Sequence, residues 1–520
     1  MKGKKHWIFI KNALKNMNND KKNQLPLGAL ISYLAIAAKL VSGLLYTPII
    51  LDSLGQGEYG VYSLCVSFTG YLTIFNGGMN AAYVRYYVQS KTRKDYDLNT
   101  INGLFFKIFF ILGMIGMLAG FVIASNVETI FGSKILQSEY DILKRSLNVI
   151  AVTILVNSIN CLFSSAIIAN EKFVICKLVD LMHTIIIPVI TIPFLLNGSG
   201  SVIILKISLA ISAVVLIVNS VYSINKLEMR FNFGKNEKKL FYSIMSFAGF
   251  VAIQSIMDQL NWQVDKLILA HTNGSNEVAV YSVGSTFNNY YITIASAISG
   301  LFIAEINRLS AFEKNKEISD LFVKTSVLLT QIVVFIMSAY IIFGKQFILR
   351  WSGEEYGQSY YVGMLIMLPV TFSLSQGLGQ DIARAKNLHK IQICINAAVC
   401  FCNFLVSIPL AAAFGAIGSA FGTFLCEIII CIIVRGIYFY KIVKIDMKAY
   451  YKEMLRLLPG WIVPIIFGII INYLDLVKAQ YFSIICFGII YTAVYFISVW
   501  FFALSDNEKH MIKRTLKIIR

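Results

Sequence analysis

A chain of 520 residues with 57% apolar and only 14% charged residues lacks the charge to cover a soluble surface of that size. Its formal charge of +18 would suit nucleic acid, but the Lys and Arg residues fall between long apolar runs instead of on one folded face, which excludes that partner. The nine cysteines lie mostly inside apolar runs and make no disulfide framework.

Residues 1–26 are basic. Trp7, Ile8, Ile10, Leu14 and Met17 among lysines predict a short amphipathic helix lying on a membrane, and no cleavable signal. About 14 apolar runs follow, each long enough to cross ~30 Å of hydrocarbon. Their approximate limits are 27–50, 59–84, 100–124, 146–168, 173–196, 202–224, 241–270, 279–304, 320–343, 360–383, 391–413, 417–440, 457–474 and 481–504. The strict alternation of a β-barrel is missing. The fold class expected is an all-α polytopic membrane protein, ending in a basic tail at 505–520.

The connecting loops alternate in charge. Loops 51–58, 197–201, 271–278 and 414–416 carry no Lys or Arg, whereas the termini and loops 85–98, 225–240, 305–318, 384–390 and 441–456 carry most of them. The positive-inside rule then puts both termini in the cytoplasm. No loop exceeds roughly 25 residues, too few for a soluble catalytic domain.

The chain also repeats itself. LGQGEYGVYSL at 54–64 aligns without a gap to NGSNEVAVYSV at 273–283, a shift of 219. ANEKF at 169–173 meets NLHKI at 387–391, and TIPFL at 191–195 meets SIPLA at 407–411, at nearly the same shift. Spans one to six and seven to twelve are therefore expected to be parallel copies of one six-helix unit. The expected divisions are an N-lobe at 27–224, a linker at 225–240, a C-lobe at 241–440, a linker at 441–456 and two appended spans at 457–504. Glycines let the repeated loop turn, and Glu58 and Glu277 are expected to cap the spans that they open.

Ionisable groups inside spans are costly and mark function. In span seven Gln254, Asp258, Asn261 and Asp265 share one helical face. The equivalent face of span one is Ala35, Lys39, Ser42 and Tyr46, so Lys39 occupies the position of Asp258. The two stripes are expected to line a central cavity. Lys39 would meet an anionic group there, while Asp258, Asp265 and, in span five, Asp180 serve ion coupling or gating. Span two adds Tyr62, Thr69, Thr73, Asn76, Asn80 and Tyr83, with Arg85 at its basic end; Tyr281, Ser285 and Asn288 echo them in span eight. Such side chains suit sugar hydroxyls, and equally suit hydrogen bonding between packed spans. The expected substrate-binding set is Lys39, Asn76, Asn80, Arg85, Asn261 and Asn288. Glu427 and His183 are weaker candidates, and Lys107 is expected to snorkel.

No phosphate-binding loop, zinc-protease, nucleophile-elbow or C-x-x-C motif is present, so neither an ATPase nor an enzyme is expected, and no cofactor or metal. Energy is expected from an H+ or Na+ gradient, the membrane potential or the substrate's own gradient.

The segment from ISYLAIAAKLVSGLLYTPIILDSLGQGEYGVYSL to FNGGMNAAYVRYYVQ resembles the first two helices of polysaccharide-unit exporters. These are the Wzx-type O-antigen and capsule flippases of the multidrug/oligosaccharidyl-lipid/polysaccharide (MOP) superfamily. The opening of span seven and GAIGSAFGT at the start of span twelve are similar to that family too. The resemblance implies a V-shaped pair of six-helix lobes and alternating access. It implies a polyprenyl-pyrophosphate-linked oligosaccharide as substrate, with a polysaccharide polymerase and chain-length regulator as candidate partners. Alternatives in the same superfamily are a lipid II flippase and a drug or cation antiporter; a membrane glycan polymerase or ligase is the rival of another class.

Overall fold

A computed structural model describes residues 21–72, 74–131, 134–234, 238–386, 388–506 and 508–509. The predicted amphipathic N-terminus up to residue 20 and the tail from residue 510 lie outside them, as does Thr73. Every long element among the described residues is a helix. Eleven are long and apolar enough to cross a membrane, or twelve if the bent pair Glu354–Ser375 and Gly377–Ala385 is one span. The protein is thus an all-α, multi-pass membrane protein.

Two of the long helices each hold two predicted spans. The helix Lys21–Leu72 is broken at Gly55 (φ 69°, ψ 174°), and His389–Ile429 at Gly415 (φ 59°, ψ −140°). Positive φ is a conformation that glycine adopts without steric cost, which is why the break falls there. Tyr46 hydrogen-bonds Thr191 near one end of span five, while Lys91 bonds Asn170 beyond its other end. The chain therefore reverses at Gly55. Opening both helices at their glycines brings twelve candidates to the fourteen predicted spans.

The chain divides into two compact units, Met1–Asn276 and Glu277–Arg520. In the first unit span four (Gln137–Ala169) packs against span three (Leu98–Ser125) and span six (Ser201–Lys226). Met79, Tyr83, Phe105, Phe109, Leu162 and Phe163 form the core there. Span seven (Lys238–Thr272), the first helix of the second repeat by sequence, packs within this unit. At its far end Ser275 donates to Glu139 of span four at 2.7 Å.

The segment after span six is not a loose linker. Asn232 N donates to Asn99 O at 2.9 Å, Asn102 donates to Arg230 O at 3.0 Å, and Lys107 Nζ donates to Phe233 O at 2.7 Å. Phe231 and Phe233 stack on each other and meet Phe106 edge-on. Lys107, expected to snorkel, reaches an exposed backbone oxygen of this strap. Gly103 makes room for it, because a Cβ there would overlap Asn232.

In the second unit the appended helices Met447–Tyr473 and Tyr481–Ser498 are fastened to span nine (Asn315–Ser352). Trp461 and Tyr495 both donate to Gln331, Tyr491 donates to Ser338 at 2.7 Å, and Asn472 donates to Ile342 O at 2.9 Å. With no water available in hydrocarbon, polar side chains find each other between helices.

Candidate functional site

Span seven carries two polar stripes side by side. One is the predicted face of Gln254, Asp258, Asn261 and Asp265. The other is Ala248, Ala252, Ser255, Gln259, Gln263 and Lys266, at steps of three and four residues and one position further round the helix. This second stripe meets span two. Lys266 Nζ donates to Ser63 Oγ at 3.1 Å, and Ser67 Oγ donates to Gln263 Oε1 at 2.9 Å. A side chain at Gly70 would overlap the Gln259 amide, and a Cβ at Gly78 would lie 2.6 Å from Ala248 O. At the other end Tyr86 and Ser243 hydroxyls are 2.7 Å apart, and the Arg85 guanidinium lies 4.5 Å from the Phe247 ring centre. Spans two and seven are therefore zipped antiparallel from Ser63 to Tyr86. Periodicity alone could have found Gln259, Gln263 and Lys266; nothing in it says which of two adjacent stripes meets a neighbour.

The predicted residues fall into different settings. Lys39 is exposed in the middle of span one and makes no ion pair among the described residues. Asp265 is fully buried and Asn261 half-buried. The side chain of Asp258 lies outside what is described. Arg85 is exposed but held by its ring contact. Asp180 is exposed, 3.5 Å from Lys177 one turn earlier.

Asn76 and Asn80 point into the first unit. Asn76 exchanges hydrogen bonds with Ser158 at 3.0 and 3.2 Å, and Ser165 donates to Asn80 at 2.9 Å. Tyr83 donates to Asn102 at 2.8 Å. That face of span two is thus engaged by spans three and four, the interhelical role that the sequence leaves open beside sugar lining. Asn288, in the second unit, is 1% exposed, and its Oδ1 has no hydrogen-bond partner among the described residues.

Span twelve holds a cation that the sequence pattern did not single out. Arg435 is 5% exposed and donates to Ser373 Oγ at 2.6 Å. It follows a π-helical turn at Ile430–Val434, two turns after the buried Glu427. Such turns often accompany functional positions in helices. Among the described residues no three His, Cys, Asp or Glu side chains converge as a metal ion requires.

The twin glutamates reach further than the helices they open. Glu58 Oε1 accepts from Ser201 N at 2.5 Å, at the start of span six. Glu277 Oε2 accepts from Ala416 N at 2.6 Å, at the start of span twelve. Both acceptors sit at the first turn of one span and cap another.

A family model described as "Polysaccharide biosynthesis protein" matches residues 28–304. No curated protein sequence matches the chain. Among solved structures, the lipid II flippase MurJ in an inward closed conformation is similar, with a TM-score of 0.68 at 18% identity over 91% of this chain and 97% of that one. A mutant of the Vibrio cholerae MATE transporter VcmN gives 0.59 at 12% identity, over 83% of this chain and 99% of that one. An inward-facing multidrug resistance MATE family transporter of the MOP superfamily gives 0.60 at 11% identity, over 79% and 98%. At these identities the likeness shows the fold alone, one that this chain shares with these flippase and transporter structures.

Proposed function

Because the chain belongs to the polysaccharide biosynthesis protein family, we propose that it is a flippase for polyprenyl-pyrophosphate-linked oligosaccharide repeat units. It would carry them across the cytoplasmic membrane for surface polysaccharide assembly, by ion-coupled alternating access. The observation that carries this proposal is the family match, which runs from span one through span eight. The charge pattern of the loops supports cytoplasmic termini, with the Gly55 and Gly415 turns outside.

In this proposal Lys39 and Arg85 meet the pyrophosphate, and Asn261 and Asn288 meet sugar hydroxyls. Asn76 and Asn80 act by holding span two in place. Asp258 and Asp265 provide ion coupling, and Asp180 serves from span five. Support for Lys39 is physical. An exposed ammonium in mid-span would cost several kcal/mol against hydrocarbon, so it belongs on a hydrated path. Asn288 Oδ1, buried without a described partner, is an acceptor available to a donor.

A lipid II flippase is the alternative, favoured by the fold shared with MurJ over 91% of this chain. The deciding experiment is reconstitution of the full chain into proteoliposomes with fluorescent lipid-linked oligosaccharide or lipid II. Transport of the first and not the second is expected, with Lys39→Ala and Asp258→Ala reducing it while inserting normally. Transport of lipid II alone, or full activity in both variants, would overturn the proposal and its site respectively.

A further inference from the structure

The Glu58 and Glu277 contacts recur with the same chemistry at aligned positions of the two echoed loops. Each carboxylate accepts from the backbone amide that directly follows a glycine, Gly200 or Gly415. A Cβ on either glycine would lie 2.5 Å from the carboxylate oxygen. Gly200 has φ −80°, open to any residue, so its absent side chain matters for space and not for conformation. Two positive helix ends converge on each carboxylate, one from its own span and one from the span it caps. Neither carboxylate makes an ion pair among the described residues. A glutamate placed this way closes a hydrogen bond to charge that is stronger than a neutral one.

We propose that Glu58 and Glu277 are positioning residues. Each is a clasp, Glu58 joining span two to span six and Glu277 joining span eight to span twelve. Both stay closed while substrate crosses, so that the outer end of each repeat moves as one body. The part about substrate rests on the flippase proposal; the clasp itself does not.

The test is a Glu58→Cys, Ser201→Cys double variant of the full chain, bridged by a short bis-methanethiosulfonate, with the bridge located by mass spectrometry. In proteoliposomes the unbridged variant should transport lipid-linked oligosaccharide more slowly than wild type, and bridging should restore the rate. Arrest on bridging, relieved by reduction, would show a gate that must open and overturn the proposal, as would a bridge without effect. A second measurement needs no transport. Thermal unfolding of Glu58→Ala, Gly200→Ala and the combined variant should show the double variant no less stable than the weaker single one, because both changes break one contact. Fully additive losses would overturn the clasp. If wild type moves no lipid-linked oligosaccharide, the flippase proposal fails while this second measurement still decides the clasp.

Discussion

Lys266 Nζ lies 3.1 Å from Ser63 Oγ, which sets an ammonium group of span seven against a hydroxyl of span two. Removing one partner of such a pair leaves the other desolvated. Ser63→Ala is expected to cost about 1–3 kcal/mol of stability. Lys266→Met removes the charge together with its need for a partner, so adding it to Ser63→Ala should recover part of that loss. Thermal unfolding of the four proteins checks this; a double variant weaker than Ser63→Ala alone would contradict it.

Adjacent glycines in span two should respond oppositely. A Cβ on Gly78 meets the backbone oxygen of Ala248 at 2.6 Å, and backbone yields poorly. On Gly77 the nearest atom is Ser255 Oγ at 3.6 Å, ordinary contact. Gly78→Ala should therefore destabilise by about 1–3 kcal/mol. Gly77→Ala should be neutral or gain about 0.5–1 kcal/mol from lower chain entropy in the unfolded state. Unfolding midpoints of the two variants, in the same detergent, decide between this and a seam that is loose at both positions.

Asn76 and Ser158 offer a test of whether span two presents its amides to substrate or to span four. A double-mutant cycle with alanine at each should give a coupling of about 0.6 kcal/mol in stability, the typical worth of a hydrogen bond between membrane helices. Export by Asn76→Ala should fall no further than its abundance does. A loss of export at normal abundance and stability would return Asn76 to the substrate.

The start of the C-terminal tail should be acid-sensitive. Burial pushes the Glu508 carboxyl up, but hydrogen bonds from Ser505 and the Arg456 guanidinium overcome it and hold the group below its ordinary 4.5. A carboxyl depressed in the folded state contributes stability above its unfolded value, and that contribution is lost as pH falls through the folded one. Hydrogen-exchange protection of the Ser505 amide, corrected for intrinsic rates, should stay level from neutrality to about pH 5 and decline below 4.5. Glu508→Gln should remove the decline.

The spans were legible because length and apolarity are properties of a segment by itself. The echo between two loops was legible too, and each of them holds a positive-φ glycine, Gly55 in one and Gly274 in the other. Which face meets which helix was not. Gln254, Asp258, Asn261 and Asp265 stood out because two are carboxylates. The stripe beside them, zipped to span two, consists of alanines, a serine, glutamines and one lysine facing serines and glycines. Close packing is carried by small residues, and small residues leave no mark in charge or hydropathy. Arg435 stayed hidden for a related reason. It lies toward the basic end of its span, where loop charge accounts for it, and only burial against Ser373 sets it apart.

The strap after span six fixes a length. Phe233 is pinned to Lys107, and span seven begins at Lys238. Between Gly234 and Lys238 the chain makes four steps, which reach at most about 14 Å when fully drawn out. Span seven cannot travel farther than that from the foot of span three without tearing Phe231 and Phe233 from their stack. The strap is a leash, tying the start of span seven to span three within one compact unit.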